Sequence, residues 1–466
     1  MTKHAPHPTH AGTSPWPRFW IASIAAFLVS LDATMLYAAF GAIRGSFSGA
    51  SPEDLSWILN AYTVIYAAML IPSGGLADAY GRKRLFLSGV TLFLAASAAC
   101  GLAGSVAWLV AARIAQAIGA ALLTPASLSI VLDAFPVSKR AIAVSLWGAV
   151  GALAAAIGPS LGALVIEVAG WPWAFYINIP VGALSLWYGA SLIGESPRNS
   201  HAKRIDVVGM LLLIVAVGAI ALAIVQSESP QWTRTEIAFV SATGLVAMAS
   251  FIAWAKAMPH PLVDLGLFRN PTYSYVNLAT LSFGTAFAMM FFTFFFYMQG
   301  VWHYSLPLAG LAVTPGPLMV IPTAVIGGRL AARHGHRPVL VGGSILYAGS
   351  GLWFLLVPGA QPDYMGAWLP GLLLSGIAVG MVLPSLSGAA VARLPAAHYA
   401  VGSAVNQATR QIGSVLGVAL TVLLLGRASA GHEQFVPTYT IHISLALLTA
   451  LLCLAVNTRP VQKAAN

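Results

Sequence analysis

The 466-residue chain is 58% hydrophobic and only 8% charged, whereas a soluble globular domain carries about 25% charged residues. A water-soluble surface cannot be assembled from this composition, so lipid is the expected solvent. The excess of Lys and Arg (23) over Asp and Glu (13) gives a net charge of +10. Cys100 and Cys453 each lie in an apolar stretch and read as small buried side chains, so no disulfide framework, metal centre or cofactor is expected. Residues 1–17 lack a basic stretch leading into a short apolar core, so the first span should act as its own insertion signal. His4, His7 and His10 recur there; they read as part of a disordered tail rather than as metal ligands.

A helix needs about 20 apolar residues to cross the hydrocarbon core. In chain order the predicted spans are 18–40, 55–76, 85–104, 107–132, 141–166 and 172–194; then 207–226 and 236–256; then 273–300, 307–331, 338–357, 366–391, 401–425 and 439–457. That makes fourteen helices in an all-α membrane protein. Basic residues should crowd the cytoplasmic ends. With both termini cytoplasmic, eighteen Lys and Arg fall on that side, while only Arg44, Arg234 and Arg427 fall on the other. A single missed span would reverse every later loop. The positive charge is therefore topological, and no nucleic-acid partner is needed to explain it.

The first six spans partly recur in the last six. After the second span comes Gly74-Gly75-Leu76-Ala77-Asp78-Ala79-Tyr80-Gly81-Arg82-Lys83-Arg84; after the tenth comes Gly328-Arg329-Leu330-Ala331-Ala332-Arg333-His334-Gly335-His336-Arg337-Pro338. Pro125 and Pro136 stand eleven apart at the end of the fourth span, as do Pro384 and Pro395 at the end of the twelfth. The expected organisation is a cytoplasmic tail (1–17), a six-helix bundle (18–194), a linker carrying an inserted two-helix hairpin (195–272), a second six-helix bundle (273–457) and a cytoplasmic tail (458–466).

On these residues the chain resembles the major facilitator superfamily, and within it the fourteen-helix drug:proton antiporters. Gly75-Leu76-Ala77-Asp78-x-x-Gly81-Arg82-Lys83-Arg84-Leu85 is similar to the loop signature between the second and third spans. Leu31-Asp32-Ala33-Thr34, Trp57 with Tyr62, Arg113-x-x-Gln116-x-x-Gly119, Asn178-Ile179-Pro180-Val181-Gly182 and the run from Pro261 to Asn270 fit the antiporter pattern. The fifth-span motif departs from it, reading Gly158-Pro159-Ser160-Leu161-Gly162-Ala163 where a second Gly is usual. The second copy of the loop has Ala332 in place of the acid. The resemblance implies a secondary transporter rather than an enzyme, in the inner cell membrane.

Asp32 lies near the middle of the first span and is the only acid deep in any of them. A carboxylate there costs about 2.5–3.5 kcal/mol on insertion scales, so it must be protonated, paired or hydrated. A site whose surroundings change as a cavity opens to alternate sides could exchange a proton in step with transport. Failing that, Asp32 is a structural hydrogen bond between helices. Arg113 in the fourth span is the natural partner, with Gln116 one turn on; alternatively, Arg113 bonds backbone carbonyls. Gly75, Asp78, Gly81, Arg82 and Lys83 read as a gating loop, or else as a plain positive-inside cluster. Gly158 and Gly162, with Pro159 between them, and Gly413 and Gly417 are small pairs that let helices approach closely. Asn60, Gln116, Met289, Phe292, Phe296, Gln407 and Arg410 are the expected substrate-cavity residues, with Arg410 as either an anchor or a substrate contact.

The expected function is proton-driven export of amphipathic or lipophilic compounds by alternating access. Its partners would be the bilayer, protons, the small-molecule substrate and, where an outer membrane exists, a periplasmic adaptor protein. Proton-coupled uptake of a nutrient or siderophore uses the same fold in the opposite direction. An embedded enzyme would need clustered catalytic groups, yet His303, His334, His336, His398 and His442 are scattered.

Overall fold

In lipid every backbone polar group must be satisfied within the chain, and a continuous helix does so for any apolar sequence. The computed structural model describes residues 14–50, 52–194, 206–227, 231–259, 261–395, 398–425 and 432–458, and all of its regular elements are helical. The expected terminal tails and the linker segment 195–205 lie wholly or largely outside the described residues, as do His4, His7 and His10 and the side chains of Asp78 and Pro159.

The helices are α1 (Trp16–Ser46), α2 (Pro52–Tyr80), α3 (Arg82–Gly101), α4 (Val106–Ala134), α5 (Val137–Ala169), the single turn α6 (Trp173–Tyr176) and α7 (Asn178–Leu192). Next come α8 (Val207–Gln226) and α9 (Arg234–Ala257). Then follow α10 (Pro271–Gly300), α11 (Leu306–Val313), α12 (Pro315–His334), α13 (His336–Leu356), α14 (Leu369–Val391), α15 (Tyr399–Leu425) and α16 (Val436–Cys453). Eleven helices among the described residues are long and apolar enough to cross a membrane, and a bent pair within α5 (Ser138–Ala155 and Ser160–Ala169, 42°) makes up to twelve. The spans expected at 172–194 and 401–425 are not among these. The first is divided between α6 and the 15-residue α7, which is shorter than a full crossing. The span expected at 307–331 is one of the eleven, Leu308–His334, with a single irregular residue, Thr314, between α11 and the proline-led start of α12.

The local stops are chemical. Gly81 (φ 103°) ends α2 and Gly335 (φ 82°) ends α12, a backbone region that only glycine enters freely. These are corresponding positions of the two sequence repeats. Thr233 and Glu236 form a reciprocal capping box at α9. Asp206 caps α8 by accepting from Gly209 N at 2.8 Å and also accepts from Trp254 Nε1 (2.8 Å) and Leu262 N (3.1 Å). One buried carboxylate thereby ties the start of α8 to the end of α9.

Helix packing repeats as the sequence does. α1 packs on α5, α2 and α3 on α4, and α1 and α3 on α7; correspondingly, α10 packs on α15, α12 and α13 on α14, and α10 and α13 on α16. Two seams join these sets, α5 against α12 and α2 against α15. α8 pairs with α9 and also touches α2 and α15, so it lies along the second seam. Glycines set the closest crossings. An ideal Cβ on Gly89 would sit 2.7 Å from Leu123 N, and one on Gly119 would sit 2.6 Å from Phe93 N, so α3 and α4 touch backbone to backbone.

Candidate functional site

Asp32 is 2% exposed and Arg113 1% exposed. Arg113 Nη1 donates to Asp32 Oδ2 at 2.6 Å. The second oxygen, Oδ1, accepts from Gln116 Nε2 (2.7 Å) and Asn178 Nδ2 (3.0 Å). Two helices thus reach one carboxylate of α1, α4 with Arg113 and Gln116 and α7 with Asn178, and α3 backs them with Ser97, whose hydroxyl accepts from Gln116 Nε2 at 2.8 Å. Arg113 has other acceptors as well: Gln116 Oε1 (2.6 Å), the Ile58 carbonyl (3.3 Å) and the face of Tyr62, 4.1 Å from the guanidinium carbon. Asn178 Oδ1 and the Tyr62 hydroxyl are buried with no hydrogen-bond partner. The pair read from sequence is therefore in direct contact, and Asn178 and Ser97 complete a network that the sequence did not single out.

The cavity lies elsewhere. About 1150 Å³ of space, counted to its open mouth, runs between the two helix sets. Its walls are largely apolar and aromatic, with Trp147 and Phe291 on opposing sides and Gln407 and Arg410 on α15. Asp32, Arg113 and Gln116 do not line it, which corrects the expectation that Gln116 does. Tyr66 stands between the two features. Its ring faces the cavity and stacks on Tyr62 (5.8 Å, 19° between planes), and Tyr62 in turn covers Arg113. A two-ring wall therefore separates the buried ion pair from the cavity.

The face expected for the ninth span is also displaced. The α10 residues lining the cavity are Phe287, Met290, Phe291 and Phe294, at helical spacing. Met289 is fully buried at the α15 crossing, where Thr421 Oγ1 reaches its carbonyl (3.4 Å) and a Cβ on Gly417 would sit 2.9 Å from its amide. Phe292 and Phe296 are half-buried on another face, and Asn60 is half-buried away from the walls. Gln407 and Arg410 do line the cavity, and Gln407 Oε1 accepts from Arg410 Nε (3.0 Å) and Nη2 (2.7 Å).

At one end of the molecule the two helix sets are in contact. Arg140, near the start of α5, donates from Nη1 to the Tyr399 hydroxyl at the start of α15 (2.7 Å), and its guanidinium also lies over that ring at 5.3 Å. A Cβ on Gly328 would come within 3.1 Å of Ile142 Cα, so α12 meets α5 tightly there. Of the expected gating loop, Arg82 pairs with Asp133 at the end of α4, Lys83 donates to the Ala190 carbonyl (2.7 Å), and Leu262 fills the space a side chain on Gly75 would need. Asp133 is a partner the sequence reading missed.

The small-residue pairs sit at equivalent crossings. Gly158 of α5 abuts Thr34 of α1, and Gly162 is buried. A Cβ on Gly413 would lie 2.6 Å from the Leu281 carbonyl of α10. Thr34 is two residues from Asp32, so the α1/α5 crossing sets the depth at which the acid is held.

The chain matches the family described as Major Facilitator Superfamily over residues 22–418 and 276–466. It is 34% identical over 398 residues to the multidrug resistance protein Stp of Mycobacterium tuberculosis (strain CDC 1551 / Oshkosh), covering 84% of this chain and 73% of that protein. It is 30% identical over 458 residues to the cephamycin export protein CmcT of Amycolatopsis lactamdurans, covering 94% and 93%. The crystal structure of the human organic anion transporter MFSD10 (TETRAN) superposes with a TM-score of 0.68 at 15% identity, over 95% of this chain and 100% of that one, a likeness of fold.

Proposed function

Because the chain belongs to the major facilitator superfamily, we propose that it is a proton-coupled exporter of amphipathic or lipophilic compounds, working by alternating access across the inner cell membrane. The similarity to multidrug resistance and antibiotic export proteins supports efflux as the direction. In this reading α7 with α6, and α15, complete fourteen spans. They form two six-helix bundles (18–194 and 273–457) around an inserted hairpin, α8 and α9, with both termini cytoplasmic. A periplasmic adaptor remains a partner of the export route where an outer membrane exists.

The observation that carries the proposal is the Asp32 network. One carboxylate deep in the apolar layer is held by Arg113, Gln116 and Asn178, and such a charge persists in lipid only while its partners stay in place. A shift of α2 within the first bundle that parts Tyr62 from Arg113 would admit water and allow Asp32 to accept a proton. Arg113 would then keep Gln116 Oε1 and the Ile58 carbonyl, so neutralising the acid need not strand the guanidinium. The Arg140–Tyr399 contact closes the cytoplasmic end in this conformation.

The test is transport in proteoliposomes carrying an imposed pH gradient. An inward proton gradient, referred to the cell, should drive substrate out, and a protonophore should abolish uphill movement. Movement of substrate with the protons would instead establish uptake.

A further inference from the structure

We infer that the central cavity holds an anion subsite at Arg410, so that the preferred substrates are amphipaths bearing a carboxylate or sulfonate beside an aromatic or aliphatic body. This rests on the export reading for its biological sense, but the binding step stands apart from proton coupling.

The argument is an inventory of donors and acceptors. Among the described residues lining the cavity, Arg410 is the single charged side chain, with no Asp or Glu among them. Asp32 is already bonded to Arg113 behind the Tyr62–Tyr66 stack. Most of the wall hydroxyls are occupied by their own helices. Ser375 donates to the Leu372 carbonyl (2.8 Å), Ser387 to Leu383 (3.3 Å) and Thr124 to Ala120 (2.7 Å). With its proton so placed, Thr124 Oγ1 must be the acceptor in its 3.2 Å bond to the Tyr66 hydroxyl.

The α15 pair is in the opposite condition. Gln407 Oε1 takes two donors from Arg410, which turns the amide nitrogen away and leaves Gln407 Nε2 and Arg410 Nη1 with no acceptor among the described residues. The two polar side chains that face the cavity from α15 thus present N–H groups, one of them on a fixed planar cation. A guanidinium in an apolar setting without a counter-ion is costly, and a planar oxyanion satisfies it with charge-assisted bonds. A cationic amphipath would meet repulsion in the same place. The position of Arg410 is fixed rather than adaptable, because the backbone of α10 closes on it. A Cβ on Gly284 would lie 3.0 Å from the Arg410 carbonyl.

The test uses three probes of one shape, pyrenebutyrate, pyrenebutanol and pyrenebutyltrimethylammonium, with the full chain in nanodiscs of zwitterionic phosphatidylcholine. Binding is read as energy transfer from tryptophan, of which Trp147 is in the wall, after subtraction of empty discs. The expected order of affinity is butyrate, then butanol, then trimethylammonium. Arg410→Gln should weaken pyrenebutyrate about tenfold to a hundredfold, the worth of charge-assisted hydrogen bonds, and leave pyrenebutanol unchanged, which also shows that the variant is folded. Arg410→Lys should keep most of the anion preference. Native protein binding the cation as tightly as the anion, or Arg410→Gln weakening all three probes equally, overturns the subsite. Loss of proton coupling with the probe order intact would sink the export mechanism alone.

Discussion

Replacing Asp32 by Asn removes the charge and keeps the shape. In the native network Oδ1 accepts from both Gln116 Nε2 and Asn178 Nδ2, and Oδ2 accepts from Arg113. An amide can present its oxygen to Arg113, but its nitrogen then faces two donors. Turning the Asn178 amide over relieves one of these, since Asn178 Oδ1 has no partner in the native state. Removing one member of a buried ion pair costs about 3–5 kcal/mol. Here Gln116 Oε1, the Ile58 carbonyl and the Tyr62 ring still surround Arg113, which places the loss at the lower end, about 3 kcal/mol. Asp32→Asn should therefore fold and bind substrate. It should lose what a proton supplies: about 2.3 kcal/mol per 100 mV, or about a fifty-fold concentration gradient at 1.4 kcal/mol per factor of ten. The assay is paired in proteoliposomes: uphill transport under an imposed proton gradient, and downhill counterflow without one. Uphill transport should vanish and counterflow persist. An Asp32→Asn protein that still concentrates substrate refutes the assignment of Asp32 as the coupling site.

Tyr399→Phe removes the acceptor for Arg140 Nη1, a charge-assisted bond worth about 1.5–3 kcal/mol. Spin labels on the first turns of α5 and α15 should report a population with that end open, raised about tenfold or more. Gly119→Ala drives a methyl group against the Phe93 backbone and should cost about 1–3 kcal/mol, seen as a lowered unfolding midpoint in detergent. Cysteines at Phe287, Met290 and Phe291 should react with a water-soluble maleimide from the open side, whereas cysteines at Met289 and Phe292 should not, following the cavity face of α10. Tyr62→Ala removes the ring between Arg113 and Tyr66; proton leak without substrate should rise, measured as dissipation of a pH gradient in vesicles.

The repeated halves were legible because glycine leaves a mark in sequence wherever the chain needs positive φ, as at Gly81 and Gly335. The Asp32–Arg113 pair was legible for a different reason: charges are so scarce in the apolar runs that two of them select each other. Asn178 was legible only as part of a motif and Ser97 not at all, because a neutral polar residue in a membrane helix does not reveal its partner, and their meeting depends on how α3, α4 and α7 cross. The cavity face of α10 was misjudged because that helix is aromatic on every side, so composition offers no polarity from which to orient it; only the fit of Met289 against Gly417 decides. The screen of Tyr62 and Tyr66 between acid and cavity is likewise a product of packing.

α8 touches both α2 and α15, while among the described residues neither α8 nor α9 lies along the seam of α5 and α12. The machine is therefore lopsided although its two halves repeat. In the alternating-access reading proposed above, the α2–α15 joint would have to slide along α8 while the α5–α12 joint would not, giving the motion a stiffer and a looser edge. A greasy molecule arriving sideways from the bilayer would therefore meet α8 across one seam and only members of the repeated sets across the other.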